Sequence, residues 1–164
     1  MISKETLVFD SAGSIDSPIG SVSVYGRGDS IVFLEMAKEP ASNSHRSPVV
    51  DLALEQLAEY FAGDRVDLNF PVRAEGTEFQ RAVWAEIAKV PFGETITYAQ
   101  IAQKIGKPKA SRAVGGAVGA NPVALVIGCH RVMGATGRIT GFSGGDGIPT
   151  KRWLLAHESI KSVD

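Results

Sequence analysis

The sequence has little cysteine and no long hydrophobic run. Cys129 is the single cysteine among 164 residues, which excludes an intrachain disulfide framework and a cysteine-rich zinc site. No apolar stretch approaches the roughly 18 residues of a membrane-spanning helix, and residues 1–6 lack the basic start and apolar core of a signal peptide. Hydrophobic residues make up 44% of the chain and charged residues 21%, which is typical of globular proteins. These features predict a cytoplasmic protein without disulfides.

Acidic residues are missing from a long internal stretch. The net charge of −1 taken alone argues against a nucleic-acid partner. The charges are unevenly spread, however: residues 1–74 contain 6 basic and 11 acidic side chains, whereas residues 75–164 contain 11 basic and 7 acidic ones. The stretch 95–145 contains no acid and carries Lys104, Lys107, Lys109, Arg112, Arg131 and Arg138. This asymmetry indicates two modules. From charge alone the favoured interpretation of the second module is a mildly basic solvated face, since patches of this size are common, and a surface that meets a polyanion is the alternative.

The first half of the chain has the pattern of a small α+β domain over residues 1–74. Two apolar runs around the turn residues 26–29 predict a β-hairpin, and the alternation of apolar residues over 66–72 predicts another strand. Ser47 as N-cap and Gly63 as stop signal predict a helix between them. We expect an antiparallel sheet with one helix packed on it.

The second half, residues 75–164, has the pattern of a mostly helical domain. Capping boxes at 77–80 and 97–100 each predict a helix. Gly106 ends the second of these, and a further helix is expected over 110–118, so the last two resemble a helix-turn-helix. The apolar run 123–127 is expected to be extended and buried, and it leads into Cys129.

Cys129 and His130 form the pair with the clearest chemical potential. A thiol with a reference pKa near 8.5 is a weak nucleophile at neutral pH unless a base or a positive field favours the thiolate. His130 is a candidate base, acting directly or through one water, and Arg131 adds positive charge. Glu158 is the candidate carboxylate that orients the imidazole. The alternative is a buried structural cysteine beside an incidental histidine.

Several ordered blocks in the second half closely resemble one protein family. The blocks are Arg112-Ala113-Val114-Gly115-Gly116-Ala117, Asn121-Pro122, Ile127-Gly128-Cys129-His130-Arg131-Val132, Gly141-Phe142-Ser143-Gly144-Gly145 and Trp153-Leu154-Leu155-Ala156-His157-Glu158. They resemble the methylated-DNA–protein-cysteine methyltransferases, also called 6-O-alkylguanine-DNA alkyltransferases. The resemblance is strong from about residue 76 to 158 and weaker before it.

The resemblance implies repair of DNA by direct reversal of damage. The protein would act as a monomer without cofactor or metal, bind double-stranded DNA from the minor groove, flip an alkylated guanine and move the alkyl group to Cys129 in one irreversible turnover. His130 and Glu158 would activate the thiol through a bound water, and Tyr98 would donate a hydrogen bond to the leaving guanine.

The resemblance also implies a set of residues that contact DNA or substrate. Arg112 would fill the space of the flipped base, Asn121 would brace the turn under the site, and Ser143 would contact the exocyclic oxygen of guanine. The remaining members of this predicted set are Ala110, Gly115, Gly116 and Arg131. Gly115 and Gly116 have no side chains to hold the helix away from DNA.

The sequence departs from the family pattern at two prolines. Gly128 stands where the family has proline before the cysteine, which restores an amide donor and backbone freedom. Ala124 replaces a proline of some relatives, and we expect it to widen the alkyl pocket. The zinc site in the N-terminal part of some relatives cannot form here, because Cys129 is the only cysteine.

Two other functions are consistent with parts of the pattern. Alkyltransferase-like proteins bind lesions as signals and replace the cysteine, so the presence of Cys129 separates this chain from them. A cysteine hydrolase would turn over acyl or amide substrates without permanent modification of the protein.

Overall fold

The chain folds into an α+β structure, as predicted. The computed structural model describes residues 4–37 and 39–162. In this part of the chain the helices are α1 Pro48–Ala62, α2 Glu78–Ala88, α3 Tyr98–Lys104, α4 Ser111–Gly119 and α5 Ile148–His157. The strands are β1 Ser11–Ser17, β2 Gly20–Arg27, β3 Ser30–Ala37, β4 Ile96–Thr97 and β5 Val132–Met133. Short 3-10 helices cover Lys4–Thr6, Cys129–Arg131 and Ala135–Gly137.

The first half contains an antiparallel sheet in the order β1-β2-β3. The predicted hairpin is confirmed, because Arg27 pairs with Ser30 across a turn in which Gly28 has a φ of +59°. Strand β1 joins β2 with Ser17 opposite Gly20. The sequence did not predict β1, since its small and polar residues lack the alternation of a half-buried strand.

Helix α1 begins and ends where its capping residues indicate. The Ser47 side chain accepts a hydrogen bond from the Val50 amide at 3.3 Å, and Gly63 terminates the helix in the left-handed conformation with a φ of +83°. Leu54 and Leu57 on its inner face are buried in the core that the helix shares with the sheet. The helix predicted between Ser47 and Gly63 is therefore confirmed.

The strand predicted over residues 66–72 is absent, and that prediction was wrong. Only Val72 forms a bridge, which pairs it in parallel with Ile31. The Ile31 amide donates to the Pro71 carbonyl at 2.8 Å, and the Arg73 amide donates to the Ile31 carbonyl at 2.9 Å. Because Pro71 has no amide hydrogen, it can extend the ladder only as an acceptor.

The prediction of an extended segment over residues 123–127 was also wrong. The Asn121 side chain accepts from the Val123 amide at 3.0 Å and donates to the Ile127 carbonyl at 2.7 Å. The Ile127 amide in turn donates to the Val123 carbonyl at 3.1 Å, and Leu125 has a φ of +74°. The segment is therefore a tight turn that Asn121 spans, and the chain leaves it towards Cys129.

The second half contains the helices that the capping boxes predicted. Reciprocal capping bonds join Thr77 with Gln80 at the start of α2 and Thr97 with Gln100 at the start of α3. Gly106, with a φ of +75°, follows α3 and turns the chain towards α4. Helices α3 and α4 pack together, which confirms the helix-turn-helix.

Two hydrophobic cores lie on either side of the segment that carries Cys129. The first joins the sheet and α1 to Val123, Leu125 and Leu154 from later in the chain. The second joins α2, α3 and α4 to Ile127 and Val132. The segment before and after Cys129 is thus anchored in both cores. Within the described ranges, no helix has the length and apolarity needed to cross a membrane.

Candidate active site

A cavity of about 730 Å³ brings together residues that the sequence placed in the site. It lies between the helix-turn-helix and the loop after Cys129, and its walls include Tyr98, Arg112, Gly115, Cys129 and Ser143. These residues come from α3, α4, the 3-10 helix and the long loop before α5. The cavity therefore combines a nucleophile, a phenol and an exposed arginine within one recess.

Cys129 begins the 3-10 helix at the base of the cavity and is 8% exposed. Burial raises the pKa of its thiol, while a hydrogen bond from Asn121, the charge of Lys151 and nearby backbone amides oppose that shift. The thiol thus depends on its neighbours for conversion to the nucleophilic thiolate. Asn121 has two roles here, because the same side chain spans the turn over residues 123–127.

His130 is fully buried behind the cavity and is oriented by a carboxylate. Its Nε2 lies 2.6 Å from Glu158 Oε2, so we assign the proton to Nε2 and leave Nδ1 as an acceptor. Among the described residues, His130 Nδ1 has no hydrogen-bond partner. Burial is the main cause that lowers the pKa of His130. The imidazole is therefore neutral at physiological pH and available as a base.

Glu158 follows α5 and collects hydrogen bonds from several parts of the chain. Arg131 donates through Nε to Oε1 at 2.8 Å and through Nη2 to Oε2 at 3.0 Å. The Gly93 amide donates to Oε1 at 3.1 Å, and the Tyr60 hydroxyl donates to Oε2 at 2.7 Å. Burial alone would raise the pKa of Glu158, but the hydrogen bonds from His130 and Arg131 hold it well below its usual range. Glu158 is thus a fixed anion.

The structure corrects the prediction that Arg131 contacts DNA. Its side chain is only 9% exposed, and its guanidinium is committed to Glu158 and to the Val90 carbonyl at 2.9 Å. A buried carboxylate needs such a partner to remain ionised. Arg131 therefore belongs to the support of Glu158 and His130.

Lys151 is a functional candidate that the sequence reasoning missed. The residue is 1% exposed, and its Nζ donates to the Val132 carbonyl at 2.7 Å. Burial lowers the pKa of its ammonium, and the thiolate charge of Cys129 opposes that effect. Lys151, Leu154 and Glu158 are spaced three and four residues apart, which puts them on one helical face. This spacing was the signal in the sequence that could have placed Lys151 on the buried side of the helix.

The other predicted contact residues lie on or near α4. Arg112 and Gly116 are exposed, and Ala110 is the half-buried N-cap residue. A Cβ built on Gly115 or Gly116 would meet no atom within 4 Å. Packing within the protein therefore does not explain these two glycines, whose missing side chains leave the outer surface of α4 open.

A second cavity, of about 450 Å³, also reaches Cys129. Its walls include Met36 from β3, Asn121, Ala124 and Phe142. Cys129 therefore borders two recesses, and Ala124 lies in the wall of the second.

The backbone at Gly128 would accept proline, but the neighbouring Arg131 side chain leaves little space for one. Its φ of −71° is a value that proline accepts. A Cβ at this position would lie 3.0 Å from Arg131 Nη1 and 3.2 Å from Arg131 Cδ. Glycine therefore leaves space for the guanidinium that supports Glu158.

The described residues contain no group of three or more His, Cys, Asp or Glu side chains arranged to hold a metal ion.

Comparisons with known proteins agree on one family. The family description "6-O-methylguanine DNA methyltransferase, ribonuclease-like domain" matches residues 12–74, and "6-O-methylguanine DNA methyltransferase, DNA binding domain" matches residues 78–160. A methylated-DNA–protein-cysteine methyltransferase of Mycobacterium bovis is 42% identical over 155 residues, which cover 91% of this chain and 92% of the relative. One from Haemophilus influenzae is 39% identical over 155 residues, covering 90% and 86% respectively.

A solved structure resembles the whole arrangement. The crystal structure of Mycobacterium tuberculosis OGT in complex with DNA is 43% identical and has a TM-score of 0.79. The match covers 90% of this chain and 91% of that protein.

Proposed function

Because the chain belongs to the methylated-DNA–protein-cysteine methyltransferase family, it is a DNA-repair methyltransferase, and we propose that Cys129 accepts the alkyl group. The observation that carries this assignment is the cavity that Cys129 lines together with Tyr98, next to the buried, hydrogen-bonded pair of His130 and Glu158. The substrate is 6-O-methylguanine in double-stranded DNA. No cofactor is needed for a direct transfer from oxygen to sulfur.

Activation of the thiol begins with His130. The Cys129 proton passes to His130 Nδ1 through one bound water, and Glu158 stabilises the imidazolium that forms. Lys151 stabilises the thiolate by its charge, and Asn121 does so by its amide hydrogen bond. These two contacts oppose the cost of a buried anion, which would otherwise keep the thiol protonated.

The transfer itself is a displacement at the methyl carbon. The thiolate sulfur forms the new carbon–sulfur bond while the bond from carbon to the guanine oxygen breaks. The electron pair of the broken bond stays with guanine, which accepts a proton from Tyr98 and leaves as the normal base. The thioether resists hydrolysis, so each molecule reacts once.

Access to the methyl carbon requires the base to leave the helical stack. Flipping costs on the order of a few kcal/mol, and Arg112 offsets part of this by entering the vacated space, where its guanidinium can stack on neighbouring bases. Ser143 contacts the exocyclic oxygen of the flipped guanine. In this arrangement the protein binds the DNA from its minor groove.

The outer surface of the helix-turn-helix supplies the contacts to the DNA backbone. Exposed cations here are Lys104, Lys107, Lys109 and Arg112, and Arg138 is exposed in the loop that follows β5. Ala110 at the N-cap of α4 offers no side-chain acceptor, which leaves amides of the first turn for a phosphate. Gly115 and Gly116 allow the backbone of α4 to approach the groove.

We assign different roles to the two halves of the chain. Residues 75–164 bind DNA and carry the acceptor, whereas residues 1–74 form the scaffold on which α5 and the turn before Cys129 pack. The protein acts as a monomer in the cytoplasm, at the nucleoid if the source is bacterial or archaeal. A reducing compartment keeps an unpaired thiol nucleophile in its reactive, reduced form.

The proposal is tested by separating binding from transfer. The protein and its Cys129→Ser variant are incubated with duplex DNA that carries methylated guanine, and both lesion binding and loss of the methyl group from DNA are measured. We expect the variant to bind with little change and to transfer nothing. Lesion binding without transfer by the wild-type protein would indicate a damage sensor. Multiple turnover without modification would indicate a hydrolase.

A further inference from the structure

The phenol of Tyr98 is hydrogen-bonded to a residue that the mechanism above does not use. Tyr98 Oη and Thr140 Oγ1 are 2.9 Å apart, and either oxygen can be the donor. Both side chains line the main cavity together with Cys129. The Thr140 hydroxyl therefore sits beside the group that protonates the leaving guanine.

Packing fixes the direction in which Thr140 presents its hydroxyl. A Cβ added to Gly134 would come within 3.0 Å of Thr140 Cγ2, so the threonine methyl occupies the space over the bare backbone of Gly134. The Gly134 amide donates to the Arg138 carbonyl at 2.8 Å, which closes the short loop beneath it. With the methyl held there, the hydroxyl faces Tyr98.

The direction of this hydrogen bond decides whether the phenol can act on substrate. A phenol has one proton, and a proton donated to Thr140 is not available to guanine. A threonine hydroxyl can both donate and accept, so it can reverse its role when a better acceptor enters the cavity. A bond from Thr140 to Tyr98 would also stabilise negative charge on the phenol oxygen as its own proton departs.

We propose that Thr140 is a positioning residue for alkyl transfer, which donates its hydroxyl proton to Tyr98 Oη and thereby directs the phenol proton to the leaving guanine. The inference rests on the proposed function and adds to it a residue that works through Tyr98. As the carbon–sulfur bond forms and the carbon–oxygen bond breaks, the Tyr98 proton moves to guanine. The phenolate, held by the Thr140 hydrogen bond, then takes a proton from solvent while the imidazolium of His130 releases the Cys129 proton to solvent, and Thr140 keeps its own proton throughout.

Two substitutions at Thr140 separate its hydroxyl from its shape. Thr140→Val keeps the branched shape and the methyl over Gly134 but has no hydroxyl, and we expect single-turnover methyl transfer from DNA to slow by about 3- to 10-fold. Thr140→Ser keeps the hydroxyl and restores most of the rate. In a Tyr98→Phe background the valine substitution should have no further effect, because the group that it serves is gone.

A second alkyl donor distinguishes positioning from a general disturbance of the site. Iodomethane methylates Cys129 with iodide as the leaving group, which needs no proton, so Thr140→Val should react with it at the wild-type rate. Equal slowing with both donors, additive effects in the Tyr98→Phe background, or an unchanged rate with DNA would each overturn the role of Thr140. Failure of the wild-type protein to take methyl from DNA would instead refute the proposed function, and with it this inference.

Discussion

The Tyr60 hydroxyl lies 2.7 Å from Glu158 Oε2, which joins helix α1 to the carboxylate that orients His130. The same carboxylate oxygen also accepts from Arg131 Nη2 at 3.0 Å. Burial and the negative charge of Glu158 raise the pKa of Tyr60, so the phenol stays protonated and donates its proton in a hydrogen bond to the carboxylate. The first half of the chain therefore contributes directly to the geometry of the site.

Tyr60→Phe should reduce stability while it leaves the aromatic packing in place. The ring keeps its edge contacts with Phe61 and Phe92, and only the hydrogen bond to Glu158 is lost. Hydrogen bonds to charged groups contribute about 1.5–3 kcal/mol, and since two other side chains still donate to Glu158, we expect the lower end. Urea denaturation measures the change, and a free energy of unfolding equal to that of the wild type would contradict the account.

The unfolding free energy should fall as the pH drops below neutrality. The pKa of folded His130 is lower than its ordinary value of 6.5, so below that pH the unfolded chain binds a proton that the folded protein does not. The pKa of folded Glu158 is also below its ordinary value of 4.5, so its stabilisation is complete above that pH and is lost on further acidification. Each group contributes a slope of at most about 1.4 kcal/mol per pH unit.

A variant assigns the upper part of this pH window to His130. His130→Gln keeps an amide donor for Glu158 but does not titrate, so its stability should change less than that of the wild type between pH 6.5 and 4.5. Urea titrations at several pH values give both curves. Parallel curves would mean that His130 does not contribute.

Lys151→Met should change reactivity and stability in opposite directions. Without the ammonium, the pKa of Cys129 rises, and the rate of thiol alkylation by iodoacetamide at neutral pH falls. Replacement of this buried cation by an apolar side chain of similar length removes the cost of burying its charge, which we expect to exceed the net contribution of the lost hydrogen bond to the Val132 carbonyl. The pH dependence of alkylation and urea denaturation test the two parts. A thiol that titrates at the wild-type pH would show that Lys151 has no electrostatic role.

Ala124→Pro should narrow the range of alkyl groups that are accepted. Ala124 lines the second cavity beside Cys129, and a larger ring there takes space from a bulky substituent. A methylene-sized change in a pocket alters discrimination by roughly 10-fold or more. The rate on benzylated guanine divided by the rate on methylated guanine is the measurement, because the ratio cancels any general loss of activity. An unchanged ratio would show that the alkyl group does not enter this cavity.

Signals confined to a few neighbouring residues predicted the local structure well. The capping boxes at the starts of α2 and α3, and the Ser47 and Gly63 caps of α1, each depend on bonds between residues close in sequence. Such bonds form wherever the helix forms, so the sequence contains all the information. The hairpin formed by β2 and β3 is predictable for the same reason, because its turn residues are adjacent in sequence.

Features that depend on distant contacts were missed. The alternation over residues 66–72 indicated a strand, but only Val72 finds a partner in Ile31. The buried positions of Lys151 and Tyr60 result from packing between α5, α1 and the segment of Cys129, which no local pattern records. Arg131 was predicted at the DNA surface because its charge was counted without its partner Glu158.

The mass of the Cys129 peptide after reaction with DNA tests the central claim most directly. The protein is incubated with an excess of duplex DNA containing methylated guanine, digested and analysed by mass spectrometry, with Cys129→Ser as the control. The account predicts a gain of one methyl group on the peptide that contains Cys129, one restored guanine for each protein molecule, and no further reaction. Repaired DNA with an unmodified Cys129, or a methyl group on another residue, would contradict it.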